Sequence, residues 1–196
     1  CKTIKEDINI SHIPVILLTA RDDRQSQISG YKNGADGYLS KPFEVEMLME
    51  LIRNRLKNRE YTKKRYLNAG LIPTPEESTI SLTDETFLIK LNSIIQENIE
   101  NSNLGIQFIC QEVGLGRSSL YNKLKALTGM GANEYISKLR IEKAITLISG
   151  TDMPFSEIAE KTGFTTPSYF STAFKQYTGE TPSQYKERKK KGLAGK

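Results

Sequence analysis

The stretch Ile158-Ala159-Glu160-Lys161-Thr162-Gly163-Phe164, with Ser168-Tyr169-Phe170-Ser171 and Phe174-Lys175 behind it, decides the fold because the chain writes it twice. A shift of 49 residues lays Ile109 on Ile158, Gly114 on Gly163 and Leu115 on Phe164. A shift of 50 lays Ser118 on Ser168, Leu120 on Phe170, Leu124 on Phe174, Lys125 on Lys175, Thr128-Gly129 on Thr178-Gly179 and Tyr135 on Tyr185. One extra residue in the second inter-helix turn accounts for the change of offset. Self-similarity at a fixed period marks a repeated supersecondary unit.

Each copy has the same physical logic. A short helix places a small residue, Cys110 or Ala159, four positions before a glycine. That glycine, Gly114 or Gly163, can take the positive φ of a sharp turn. An apolar residue follows, and a second helix turns Leu120 and Leu124, or Phe170 and Phe174, inward. The small residue lets the two helices cross closely. This is the helix-turn-helix pattern, whose second helix enters the major groove of DNA. The outward positions are small and polar: Ser118, Ser119, Asn122 and Lys123 in one copy, Ser168, Ser171 and Thr172 in the other. A helical bundle that merely dimerises is the alternative, and it would show larger apolar anchors there.

Outward from the repeat, Phe87, Leu88, Leu91, Ile94, Ile95 and Ile99 form one helical stripe. Further helices are predicted over 106–113, 118–128, 133–148, 155–161 and 167–177, with Asn133 and Thr166 as N-caps and Pro167 in a first turn. Before residue 83 the pattern changes. Residues 2–7 read as helix, and the branched run from Ile13 to Thr19 suits a strand buried on both faces of a parallel sheet. A polar helix over 22–33, a strand at Tyr38-Leu39-Ser40 and a helix from Phe43 through Leu56, running on to Gly70, complete an α/β pattern. Ile72-Pro73-Thr74-Pro75-Glu76-Glu77-Ser78 is the clearest linker, since two prolines cannot continue a helix. The expected fold is mainly α: an all-α double helix-turn-helix domain preceded by a truncated α/β part. The expected divisions are 1–58, a helical extension and linker over 59–82, the domain at 83–189, and a basic tail at 190–196.

Composition narrows the function. The 196 residues are 37% hydrophobic and 26% charged with a net charge of +5, which permits nucleic-acid binding without proving it. The tail from Lys186 to Lys191 is basic, and a solvated, frayed terminus is an equal reading of it. Two cysteines, Cys1 and Cys110, and one histidine, His12, leave no disulfide framework, metal set or His-dependent triad. No nucleophile–base pair and no phosphate loop stand out, so an enzyme is not expected, nor a cofactor or a small-molecule ligand. The apolar run at Ile13–Leu18 is far too short to cross a bilayer, no signal peptide is visible, and a cytoplasmic setting is expected.

The residues from Phe87 to Lys189 resemble the AraC/XylS family of transcription regulators. The likeness is most specific at 158–164, at 168–175 and at Thr178-Gly179-Glu180-Thr181-Pro182-Ser183-Gln184-Tyr185. It implies two recognition helices, joined by a long helix over 133–148, that reach successive major-groove segments of double-stranded DNA. Base contacts are implied for Ser118, Tyr121 and Asn122, and for Pro167, Ser168, Ser171 and Thr172. Asn122 is the best direct reader, because an amide pairs bidentately with adenine; packing of Tyr121 against its own helix is the alternative. Phosphate contacts are implied for Arg117, Lys123, Lys125 and Lys175. Gly116 stands where the family has a capping Ser, and Thr172 is short for a base reader.

Residues 1–58 resemble the last third of a response-regulator receiver domain, at Ile16-Leu17-Leu18-Thr19-Ala20-Arg21 and Gly34-Ala35-Asp36-Gly37-Tyr38-Leu39-Ser40-Lys41-Pro42-Phe43. The resemblance makes Thr19 and Lys41 partners of a phosphorylated aspartate, Tyr38 the rotating aromatic, and Lys41-Pro42 a cis bond. That aspartate and the acidic metal-binding pair would precede Cys1, and Asp22 and Asp23 read as helix caps, not substitutes. Two strands alone leave apolar faces open, so this part is expected to be disordered in part, rearranged or paired with a second copy. The combination is similar to the tail of hybrid histidine kinases, in which sensor, kinase, receiver and output share one polypeptide. The reading is therefore a sequence-specific, phosphorelay-controlled transcription regulator, with upstream kinase and receiver segments and a second copy as candidate partners. The alternative is a non-sequence-specific DNA-binding or protein-interaction module.

Overall fold

Apolar side chains at a 3.6-residue period run through most of the chain, and helices dominate accordingly. The computed structural model describes residues 1–20, 24–69 and 82–193. Its elements are α1 (Lys2–Glu6), β1 (Ile16–Thr19), α2 (Arg24–Lys32), β2 (Gly37–Ser40), α3 (Val45–Ala69), α4 (Leu82–Glu97), α5 (Ile106–Val113), α6 (Arg117–Thr128), α7 (Ala132–Gly150), α8 (Phe155–Lys161), α9 (Pro167–Thr178) and α10 (Pro182–Leu193). They fall into two compact units, Cys1–Lys90 with Leu115–Met130, and Leu91–Gly114 with Gly131–Lys196. The linker expected at 72–78 and the caps expected at Asp22 and Asp23 lie outside the described residues. No helix among those described is long and apolar enough to cross a membrane.

In the first unit β1 and β2 pair in parallel, Ile16 against Gly37 through Thr19 against Ser40, with α2 as the crossover. The Asp36 carboxylate ties the start of β1 down, accepting from the Val15 N–H at 2.7 Å and pairing with Lys5 Nζ at 2.7 Å. Leu51 of α3 lies against β2 so closely that a Cβ on Gly37 would fall 2.9 Å from its side chain. Burial of β1 on both faces is not what the structure has. Leu18 is 42% exposed, and β1 has one hydrogen-bonded neighbour among the described residues. Helix α3 continues unbroken past the division expected at residue 58, as far as Ala69.

In the second unit α7 is the organising helix and buries Tyr135, Ile136, Leu139, Ile141, Ala144 and Ile148. Its N-cap is Gly131 and not Asn133, which sits exposed inside the first turn; the Gly131 N–H donates to Glu134 Oε2 at 3.3 Å. Thr166 does cap α9, accepting from the Tyr169 N–H at 3.2 Å, with Pro167 as the first helical residue. A ladder of rings fills the core: Phe164–Phe170, Phe170–Phe174 and Phe174–Tyr185, at 5.3, 5.7 and 5.5 Å between centroids. Tyr185 belongs to α10, which extends through the basic stretch to Leu193. Fraying from Lys186 is thus corrected. Burial of Tyr185 and the pairs Lys186–Asp152 (3.1 Å) and Arg188–Glu180 (2.7 Å) hold the helix.

Candidate nucleic-acid interface

The order short helix, positive-φ glycine, apolar residue, second helix occurs twice. Gly114 closes α5 at φ 72° and Gly163 follows α8 at φ 73°. Leu115 and Phe164, the apolar residues after them, are both buried. Gly163 is required twice over, because a Cβ there would also fall 2.2 Å from the Ile99 carbonyl oxygen.

Helix α6 belongs to the first unit. Ser118, Tyr121, Asn122 and Lys125 are exposed along one side of it, at three- and four-residue spacing, while Leu120, Leu124 and Leu127 are buried on the other. Tyr121 is 54% exposed. Arg117 is exposed in the first turn, behind a Gly116 N-cap that supplies no side-chain hydrogen bond.

Lys123 is a correction. It was expected at a DNA phosphate, but it is 0% exposed, and its Nζ pairs with the Asp84 carboxylate and donates to Ser11 Oγ at 2.6 Å. The repeat held the signal for this: a shift of 50 lays Lys123 on Ala173, which is buried in α9. Three residues after Leu120 and four before Leu127, position 123 lies on the inward stripe whatever its charge.

Helix α9 belongs to the second unit. Pro167, Ser168, Thr172 and Lys175 are exposed and Ser171 is half-buried, opposite Phe170, Ala173 and Phe174. The Thr172 hydroxyl donates back to the Ser168 carbonyl at 3.0 Å. Arg140, absent from the sequence reading, supports this helix. Arg140 Nη2 donates to the Asn101 carbonyl at 2.7 Å, and its guanidinium lies 6.0 Å from the Phe164 ring centre. Phe164 in turn meets Tyr169 edge-on at 5.8 Å. Burial lowers the Arg140 pKa, and it raises that of Tyr135 to about 12 against the Tyr135–Asn92 hydrogen bond of 2.8 Å.

In the receiver-like part, Thr19 and Tyr38 line one depression together with Leu17, Ser26, Gly30 and Asn33. Lys41 is exposed, its N–H donates to the Thr19 carbonyl at 2.7 Å, and Lys41-Pro42 is cis.

Residues 109–188 match the family model of a helix-turn-helix domain, and residues 1–53 that of a response regulator receiver domain. Histidine kinase P4 of Formosa agariphila is 42% identical over 188 residues, an overlap of 96% of this chain and 14% of that protein. The HTH-type transcriptional activator RhaR of Salmonella dublin is 34% identical over 102 residues, 52% of this chain and 36% of that one. Among solved structures, a transcriptional regulator with an AraC-type DNA-binding domain from Chromobacterium violaceum is similar with a TM-score of 0.50 and 25% identity, covering 54% of this chain and 93% of its own. The chain thus spans well under half the length of the two curated relatives.

Proposed function

Since the chain belongs to the AraC-type helix-turn-helix transcription regulators, with the C-terminal part of a response-regulator receiver domain in front, we propose that it is a sequence-specific DNA-binding regulator, the output part of a phosphorelay two-component system. The observation that carries this is the pair of exposed, slender polar helix faces at equivalent repeat positions, Ser118/Asn122/Lys125 on α6 and Ser168/Thr172/Lys175 on α9. Side chains this short let the helix backbone approach base edges, and lysines at the far end meet phosphates. Asn122 reads an adenine, while Ser118, Tyr121, Pro167, Ser168 and Ser171 complete the base-facing set with Thr172. Arg117, Lys125 and Lys175 fix register on the backbone.

The similarity to a histidine kinase over almost the whole chain supports a hybrid parent in which kinase and output share one polypeptide, working in the cytoplasm. In that parent Thr19 and Lys41 hold the phosphoryl group, a dianion that wants a donor and a cation, and Tyr38 follows their movement. The segment itself takes no cofactor and carries out no catalysis, and a second copy of it is the partner on DNA. A salt titration of binding to a selected operator and to a scrambled duplex tests the reading. A preference of at least a thousandfold that persists at raised salt is expected, and equal, equally salt-sensitive binding to both duplexes refutes it.

A further inference from the structure

Helix α6 has two faces, and its buried one is held by residues far away in the sequence. Lys123 Nζ donates to Ser11 Oγ at 2.6 Å and pairs with the Asp84 carboxylate; Ser11 Oγ donates to the same Asp84 oxygen at 2.7 Å. The three residues are 0%, 1% and 3% exposed for Lys123, Ser11 and Asp84, so water cannot stand in for any of them. Ser11 lies between α1 and β1, inside the receiver-matched residues. Two more bonds join the same parts: Thr83 Oγ1 donates to the Lys5 carbonyl at 3.0 Å, and Arg59 Nε of α3 to the Ala126 carbonyl of α6 at 3.3 Å. The four exposed DNA-facing residues of α6 are left open by all of this.

We propose that the Ser11–Asp84–Lys123 ring is the coupling contact through which the receiver-like segment sets the position of the first recognition helix. The inference rests on the proposed DNA-reading role of α6. The physical reason is directional. A buried ammonium must keep its partners, because a buried charge left uncompensated is strongly destabilising. A shift of the α1–β1 segment therefore either carries α6 with it or strips Lys123 and Asp84 of the hydroxyl that joins them. The route acts on α6 directly, with α3 as a second handle through Arg59.

Ser11→Ala in the whole chain tests this, since it leaves the Lys123–Asp84 pair in place while cutting the receiver side of the ring. Hydrogen exchange without DNA is the first readout. Amides from Leu120 to Leu127 are expected to exchange at least tenfold faster, with those of α9 unchanged. Footprinting is the second: protection by α6 weakens while protection by α9 persists. Arg59→Gln, which cuts the other handle, gives a parallel loosening at the C-terminal end of α6 and serves if Ser11→Ala does not fold. Exchange of α6 within twofold of the unaltered protein in a folded variant overturns the proposal. A chain with no operator preference but with α6 loosened by Ser11→Ala instead overturns the DNA reading and keeps the contact, so the two failures are distinguishable.

Discussion

Gly114 and Gly163 occupy the same place in the two repeats with nearly the same φ, 72° and 73°, yet their surroundings differ. Around a Cβ built on Gly114 nothing lies within 4 Å; around one on Gly163 stand the Ile99 carbonyl oxygen at 2.2 Å and the Arg140 guanidinium nitrogens at 2.8 and 2.9 Å. Alanine at either position meets the left-handed backbone penalty of roughly 1–2 kcal/mol. Gly114→Ala is expected to cost about that and no more. Gly163→Ala must also push a backbone carbonyl and a guanidinium aside, losing the Arg140–Asn101 bond of 2.7 Å. A hydrogen bond from a charged donor is worth about 1.5–3 kcal/mol, so the total is about 2.5–5 kcal/mol before the carbonyl's displacement is counted. Both glycines lie in the second unit, so native-state hydrogen exchange of the α7 and α9 amides compares them on one scale. Equal loss of protection in the two variants would refute the reasoning, because the only difference invoked is the wall around Gly163.

Asn122→Ala is expected to lower operator affinity by about 1–3 kcal/mol and to relax base choice at one adenine, checked by binding to duplexes substituted there. Lys125→Ala and Lys175→Ala should each weaken matched and scrambled duplexes alike, and reduce the slope of log affinity against log salt by about one, while Lys123→Ala does not behave this way. Desolvation, helped by the Lys123 and Arg59 charges, holds His12 below its ordinary pKa of 6.5. The folded protein then binds fewer protons than the unfolded chain as pH falls through the unfolded value of about 6.5. Stability is therefore intact above that pH and declines below it, and thermal unfolding at pH 7.5 and 5.5 should show a smaller difference in His12→Gln.

Much of the second unit was legible because the repeat constrains itself. Matched glycines, apolar residues and a Thr-Pro start place α8 and α9 within a residue of the observed bounds. Lys123 was misread because charge was weighed above register: its helical position is inward, and only a partner such as Asp84, 39 residues away, makes a lysine tolerable there. Ser11 was invisible for the same reason, since nothing local marks a serine 112 residues from its ammonium partner. The burial of β1 was overestimated because a branched run reports what a strand could bury, whereas the described residues leave Leu18 42% exposed. Helix α10 was hidden by its lysines, although Tyr185, matched to Tyr135 by the repeat, pointed to a buried face beneath them.

Hydroxyl-radical footprinting of the chain on a selected operator tests the central claim most directly. Two protected segments on one face of the duplex, separated by about one helical turn of 10–10.5 base pairs, are the predicted result. A single segment, or protection that ignores sequence, would contradict a protein that reads DNA with two repeated helices.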